Sequence, residues 1–270
     1  MKLSLHTLPE VPLEAEVISP DKLQGLSESE VAALSIYHGN RKVPLGEFFT
    51  VSGTVDSSDG LVEIEGDLSR VKLLGYAMST GRLVIVGDVG AHLGANMSGG
   101  EISLDGNAGD WVGREMSGGR IVITGNAGHM VGSAVRGSSV GVQGGEIIIH
   151  GNALNEVGNG MRRGLIAIGG DAYDFAGANM LAGTIVVLGK LGMRPGAGMK
   201  RGSIISMQKT ELLPTFTYNS TIQPDFIRFY LFHLRKMGLS VSDESINGSY
   251  ERWSGDSLEL NKGEILMYTG

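Results

Sequence analysis

Gly106-Asn107-Ala108-Gly109-Asp110-Trp111-Val112-Gly113-Arg114-Glu115-Met116-Ser117-Gly118-Gly119-Arg120-Ile121-Val122-Ile123-Thr124 is followed at once by Gly125-Asn126-Ala127-Gly128, the start of a second copy 19 residues on. Outward from this stretch, a Gly followed by Asp or Asn recurs at Gly66-Asp67, Gly87-Asp88, Gly106-Asn107, Gly125-Asn126, Gly151-Asn152 and Gly170-Asp171, and a seventh copy ends in Gly189-Lys190. The spacings are 21, 19, 19, 26, 19 and 19. A second marker keeps step: Met78, Met97, Met116, Met161, Met180 and Met199 each follow a glycine by three residues. Two markers in phase over seven copies define a repeat.

Within a copy the apolar period is two. Four and two residues before the marker glycine stand Val62/Ile64, Leu83/Ile85, Ile102/Leu104, Ile121/Ile123, Ile147/Ile149, Ile166/Ile168 and Ile185/Val187. Such alternation puts one side of a strand on a core. Nineteen residues leave no room for a crossover helix, so each strand has to stack on its own copy. The fold expected is all-β: a single-stranded, right-handed parallel β-helix, a solenoid of 19-residue coils. Its inward ladders hold Ile on Ile, Met on Met, and Ala108, Ala127, Ala153 and Ala172 at a corner. Asn and Asp after the marker glycine are expected to hydrogen-bond along the stack. The first coil is two residues longer than the rest. The fourth carries about seven extra, Arg136 to Val142, expected to leave the stack as a loop.

Three regions are predicted. Residues 1–60 form an N-terminal arm and cap, residues 61–210 the β-helix, and residues 211–270 a C-terminal helix and strand packed on it. In the first, Pro9, Pro12 and Pro20 break an extended arm, Ser27 and Glu30 are spaced as a capping box for a helix to about Leu34, and Val43 to Val55 read as strands. In the last, Pro224 to Met237 reads as a helix with Gly238 beyond it. Phe226, Phe229, Tyr230, His233 and Met237 make one stripe, and Ile227, Leu231 and Leu234 widen it. Ser240 to Ser249 reads as a polar connection, and Glu264 to Tyr268 as a last β segment.

Composition narrows function. Apolar residues are 41% and charged residues 19% of 270, enough for a core, and the net charge of −7 argues against a general nucleic-acid binder. No apolar run is long enough to span a membrane and no secretory signal opens the chain, so a cytoplasmic protein is expected. The chain has no cysteine, which excludes disulfides, cysteinyl metal ligation and thiol nucleophiles. His6, His38, His92, His129, His150 and His233 form no metal-binding spacing and do not recur on the ladder. No phosphate-binding loop and no nucleophile elbow is present, and Asp67, Asp88 and Asp171 read as corner residues rather than paired catalytic carboxylates. The expectation is therefore no catalytic, cofactor-binding or metal-binding residue in this chain.

What remains is surface. Five residues after each marker glycine stand His92, Trp111, Met130, Glu156, Phe175 and Arg194. Each is followed by a mostly small apolar residue that alternation turns inward. His92, Trp111, Met130 and Phe175 are thus predicted to point out and to form a partner interface. A second outward row runs Val84, Ser103, Val122, Ile148, Ala167 and Val186. The C-terminal helix can cover one of the two rows, and the other is left for a partner.

The unit Gly-Asn-Ala-Gly-x-x-Val-Gly-x-x-Met-x-Gly-Gly-x-Ile resembles the repeat of the C subunit of formylmethanofuran dehydrogenase, shared with the C-terminus of the large glutamate synthase subunit. The resemblance covers roughly residues 8 to 218. It includes Glu10-Val11-Pro12-Leu13-Glu14-Ala15, His38-Gly39-Asn40 and Leu45-Gly46-Glu47-Phe48-Phe49-x-Val51-Ser52-Gly53. Further on, Arg252-Trp253-x-Gly255-Asp256 and Lys262-Gly263-Glu264-Ile265-Leu266 are more similar to the C subunit of the bacterial formyltransferase/hydrolase complex. That resemblance implies a non-catalytic β-helical subunit in one-carbon metabolism. Its partners would be a formyltransferase subunit and an amidohydrolase-like subunit, which hold the metal and handle a methanofuran-type carrier. Their reaction moves a formyl group from formyl-tetrahydromethanopterin to the carrier and releases formate. The alternatives are the C subunit of a tungsten or molybdenum formylmethanofuran dehydrogenase, a glutamate-synthase-like scaffold, and an enzyme with its site in a solenoid groove. The last needs a cluster of Asp, Arg or Lys on one face, which the sequence lacks.

Overall fold

Alternating apolar residues should turn one face of each strand into the core, and each Ile-x-Ile run does so, while around Ile148, Ala167 and Val186 the opposite face is buried as well. The computed structural model describes residues 1–56 and 59–270; Ser57 and Ser58, within the segment 1–60, lie outside the described residues. The chain opens with β1 (Lys2–Leu5), β2 (Leu13–Glu14), α1 (Pro20–Leu23), α2 (Glu28–Ala32), β3 (Ser35–His38), β4 (Arg41–Pro44) and β5 (Phe49–Ser52). The repeats supply β6 (Leu61–Glu65), β7 (Val71–Lys72), β8 (Arg82–Val86), β9 (Glu101–Asp105), β10 (Arg120–Ile123), β11 (Gln143–Ile149), β12 (Arg163–Ile168), β13 (Thr184–Val187) and β14 (Arg201–Ser206). The C-terminal part adds β15 (Thr217–Ile222), α3 (Asp225–Lys236), α4 (Asp243–Asn247), β16 (Tyr250–Gly255) and β17 (Lys262–Tyr268).

Among the described residues, thirteen strands make one sheet in the order β15-β16-β17-β14-β13-β12-β11-β10-β9-β8-β6-β1-β5. From β1 to β17 along that order every pairing is parallel, and the register is that of the repeat: Ile121 faces Ile102 on one side and Ile147 on the other. The inward Ile ladder is buried throughout, as is the Met ladder. A second run of parallel bridges joins Leu68, Val89, Ala108, Ala127, Ala153, Ala172 and Leu191 at the alanine corner. Along that corner the predicted Asn/Asp ladder forms. Asp88 accepts the Asn107 N–H at 2.7 Å, Asn107 that of Asn126 at 2.8 Å, Asn126 that of Asn152 at 2.8 Å, and Asn152 that of Asp171 at 2.7 Å.

The ends depart from expectation. The proline-broken arm is tied down as one more repeat: Leu3 takes the ladder position beside Ile64, Leu13 pairs with Val71, and the Ile18 carbonyl accepts the Gly75 N–H at 2.9 Å. The two extra residues of the first coil serve this arm. Gly90 N–H reaches both the Leu68 and Val71 carbonyls, so Ser69 and Arg70 bulge out, and the Arg70 carbonyl accepts the Leu13 N–H. Ser27 and Glu30 do form a capping box on α2. At the other end β17, separated from β14 by residues 207–261, returns to pair with it in repeat register, Ile204 beside Ile265. Ser240 to Ser249 is not merely a connection, because it holds α4 with Ile246 buried.

The insertion needs a correction too. Val142 is fully buried and takes the Met position: its carbonyl accepts the Arg162 N–H at 2.8 Å, as Met161 does for Leu181 and Met97 for Ser117. The loop that leaves the stack therefore ends before Val142. Ile123, fully buried in the middle of the ladder, tests the packing. Ile123→Asp strands a carboxylate among apolar neighbours at a cost on the order of 4 kcal/mol. The variant should unfold or fail to accumulate, and wild-type melting and circular dichroism would refute the assigned strand parity.

Candidate functional site

The row predicted to face outward has an unusual backbone. Leu73, His92, Trp111, Met130, Glu156, Phe175 and Arg194 all have positive φ, between 55 and 69°. For a non-glycine residue that conformation costs about 1–3 kcal/mol. What holds it from Leu73 to Phe175 is a hydrogen bond from each N–H to the next repeat, among them His92 to the Asp110 carbonyl, Trp111 to His129, Met130 to Asn155 and Glu156 to Asp174, each of these four at 2.8 Å. One residue earlier, side chains continue the pattern. Asp110 accepts the His129 N–H at 2.8 Å, His129 Nδ1 that of Asn155 at 3.3 Å, and Asn155 that of Asp174 at 3.2 Å.

The structure brings the four predicted interface residues into one row, each half-buried, with fully buried Leu93, Val112, Val131 and nearly buried Ala176 beneath their neighbours. His92 lies on Trp111 with ring centroids 6.1 Å apart, and the Arg194 guanidinium lies 5.5 Å from the Phe175 centroid. His92 is the electrostatic outlier. Burial first, then the Arg114 and Lys72 charges, pull its pKa down to about 4, with Asp110 opposing. Its Nδ1 and the Arg114 Nε are buried without a hydrogen-bond partner among the described residues.

The second outward row is divided. Ile148, Ala167 and Val186 are fully buried under Ile227, Leu231 and Leu234 of α3, whereas Val84, Ser103 and Val122 stay half-exposed. This corrects the helix reading: the buried stripe is Ile227/Leu231/Leu234, and Phe226 and Phe229, with Phe232, face outward. Of the other residues in the expected stripe, Tyr230 and Met237 pack at the edge of this cluster. Sequence reading also misses Leu258 and Leu260, between β16 and β17, which the structure exposes.

Among the described residues, no group of three His, Asp or Glu side chains is placed to hold a metal ion, and no helix is long and apolar enough to cross a membrane. His233 contacts Glu146 at 3.2 Å, and Glu146 also pairs with Arg120 at 3.0 Å, contacts that fix the end of α3 to the sheet.

The sequence profile of the GXGXG motif family matches residues 75–228. Over its full length the chain is 36% identical to a chain in the crystal structure of the formyltransferase/hydrolase complex (FhcABCD) from Methylorubrum extorquens in complex with methylofuran. The superposition covers 100% of both chains with a TM-score of 0.91. The chain belongs to the family that unites the C subunits of formyltransferase/hydrolase complexes and formylmethanofuran dehydrogenases. Among curated members, the C subunit of molybdenum-containing formylmethanofuran dehydrogenase 1 from Methanothermobacter thermautotrophicus is 49% identical over 85 residues, 32% of this chain and 21% of that protein. The Fhc C subunit of the formyltransferase/hydrolase complex from M. extorquens is 43% identical over 76 residues, 28% of each chain. The match to the first of these curated relatives thus spans about a fifth of its length.

In this member of the C-subunit family, His92 offers a pH readout of the row. An unfolded histidine takes a proton near pH 6.5, whereas folded His92 does so only near 4. Between those values the unfolded chain binds the extra proton, so stability falls as pH drops through the window and His92 has no effect above it. Urea unfolding should show wild type losing stability from pH 7 to pH 5, and His92→Gln losing less. Parallel pH profiles would show that the row does not bury His92.

Proposed function

We propose that this chain is a non-catalytic structural subunit of a formyltransferase/hydrolase complex, wound as a right-handed parallel β-helix. The full-length match to a chain of the FhcABCD structure carries this reading, since it spans both terminal parts as well as the repeats. The winding is supported by two parallel ladders, one of strands and one at the alanine corner, that advance by the same repeat. In this reading the partner subunits hold the metal and the methanofuran-type carrier. They move the formyl group from formyl-tetrahydromethanopterin to the carrier and release formate. This chain supplies the frame on which they assemble. A second reading, the C subunit of a molybdenum or tungsten formylmethanofuran dehydrogenase, draws on the local identity to those proteins.

Purifying the tagged chain from its native cell separates the two. Formyltransferase and amidohydrolase-like chains are expected to come with it. Molybdopterin-protein and ferredoxin-like chains instead would favour the dehydrogenase. The isolated chain should show no formyl transfer, hydrolysis or dehydrogenase activity, and turnover abolished by a point change in this chain would overturn the non-catalytic reading.

The row His92, Trp111, Met130 and Phe175 is the interface we assign. The two segments able to cover it lie elsewhere: residues 1–21 extend the stack and α3 lies on the sheet row around Ile148. Half-exposed aromatic and Met side chains at fixed spacing suit the centre of a protein interface. Trp111→Ala should weaken assembly by about 2 kcal/mol while the free protein melts nearly as before. Lost thermal stability with normal assembly would return the row to the chain's own packing.

A further inference from the structure

Two interruptions of the repeat meet at one place. The loop that precedes Val142 and the turn between β16 and β17 flank a groove of about 300 Å³, lined by Ser138, Ser139, Asn159, Asn179, Lys200 and Glu259 among others. Its floor is an amide ladder, with Asn179 Nδ2 donating to Asn159 Oδ1 at 3.2 Å. At its far wall Lys200 and Glu259 stand 3.9 Å apart. Beyond that wall Leu258 is 82% exposed and Leu260 51%, on either side of Glu259.

The leucines are held in place, not loosely draped. Asp256, 3% exposed, accepts the N–H groups of Gly198 and Leu258 at 3.0 Å each, and its carbonyl accepts those of Glu259 and Asn261 at 3.1 Å each. A turn fixed to the last repeat by these bonds presents two apolar side chains that bury little in this chain. Order of that kind lowers the entropy lost on docking.

We infer that this groove docks a polypeptide segment of another subunit, which lays its main chain on the asparagine amides and an apolar side chain against Leu258 and Leu260. This rests on the reading of the chain as part of a complex. The chemistry of the groove selects a peptide. Asn159 Nδ2 is taken by Glu156 Oε2 at 2.7 Å and Asn159 Oδ1 by Asn179, which leaves the Asn179 side-chain carbonyl oxygen, two hydroxyls, one ammonium and one carboxylate to offer both donors and acceptors with no net charge, a match to a peptide group better than to an anion or a cation. The leucines add the apolar area that a small polar ligand does not use.

The test compares tagged wild type, the double variant Leu258→Asp/Leu260→Asp, and Asn179→Ala, each purified from its native cell with co-purifying chains identified by mass spectrometry. Ala is tolerated at the third site, because Ala77 already holds the matching position at φ 54° against 53° for Asn179. The double variant should melt as wild type does yet retain less than about a tenth of the partner chains, and Asn179→Ala should retain fewer than wild type. Wild-type yields from both variants would overturn the docking site and leave the reading as a complex component standing. If wild type itself brings no formyltransferase, hydrolase or dehydrogenase chain, that reading falls and this site with it. A purified chain that is dimeric, and made monomeric by the double variant, would make the groove a self-interface and overturn the inference.

Discussion

A backbone carbonyl of one repeat needs a bare glycine in the next, and the rest of the structure depends on that close approach. A Cβ placed on Gly119 would lie 2.8 Å from the Gly100 carbonyl oxygen, one on Gly145 2.5 Å from that of Gly119, and one on Gly202 2.9 Å from that of Gly183, with the Met97, Met116 and Met180 methyl groups reaching into the same space. Real Cβ atoms do not come that close to a backbone that cannot give way, so the strand after each glycine can approach its predecessor only because the side chain is missing. The same glycines have positive φ, which turns the chain into the strand. Two independent demands, space and backbone sign, fall on one position. That favours a glycine at this position in every copy, and where the inserted loop interrupts the ladder Val142 takes the methionine's place.

The same strictness sets the corner on the other side. Seven non-glycine residues in left-handed conformation would be a heavy strain in an isolated turn. Here six of them, Leu73 to Phe175, are matched by an N–H bond to the next repeat, so the strain is met by cooperation between neighbours. Because the backbone alone fixes this geometry, the side chains of the row are free to vary from His to Trp, Met, Glu, Phe and Arg. A position whose structure does not depend on its side chain is where a repeat protein can place recognition.

The sequence reveals the middle of the chain far better than its ends. Ile121 and Ile123 have copies on both sides, so their burial follows from repetition. Leu3 and Leu13 have none: the arm follows the ladder with Met1-x-Leu3 where the neighbouring copy has Val62-x-Ile64, and its prolines mask the likeness. β17 is legible as a strand, but its place beside β14 comes from a chain that leaves over residues 207–261 and returns, and no local period records that. The buried side of α3 depends on the shape of the sheet beneath it, which an apolar stripe cannot convey. Leu258 and Leu260 give no signal, because a pair of leucines in a turn looks the same whether it is buried or displayed.

Both ends use one device. An open parallel edge invites further pairing, so the chain closes it with a strand in repeat register followed by an antiparallel neighbour, β1 with β5 and β17 with β16. A perfectly regular stack would still serve poorly as a frame for different partners. Its surface would repeat every coil, and a partner could bind one step too early or too late at nearly equal free energy. Register on such a surface has to come from whatever breaks the period. In this chain those breaks are few and placed: the changing side chains of the left-handed row, the half of the sheet that α3 leaves uncovered, and the groove where the inserted loop and the returning turn meet. The regular residues make the long parallel sheet, and the irregular ones give it positions that can be told apart.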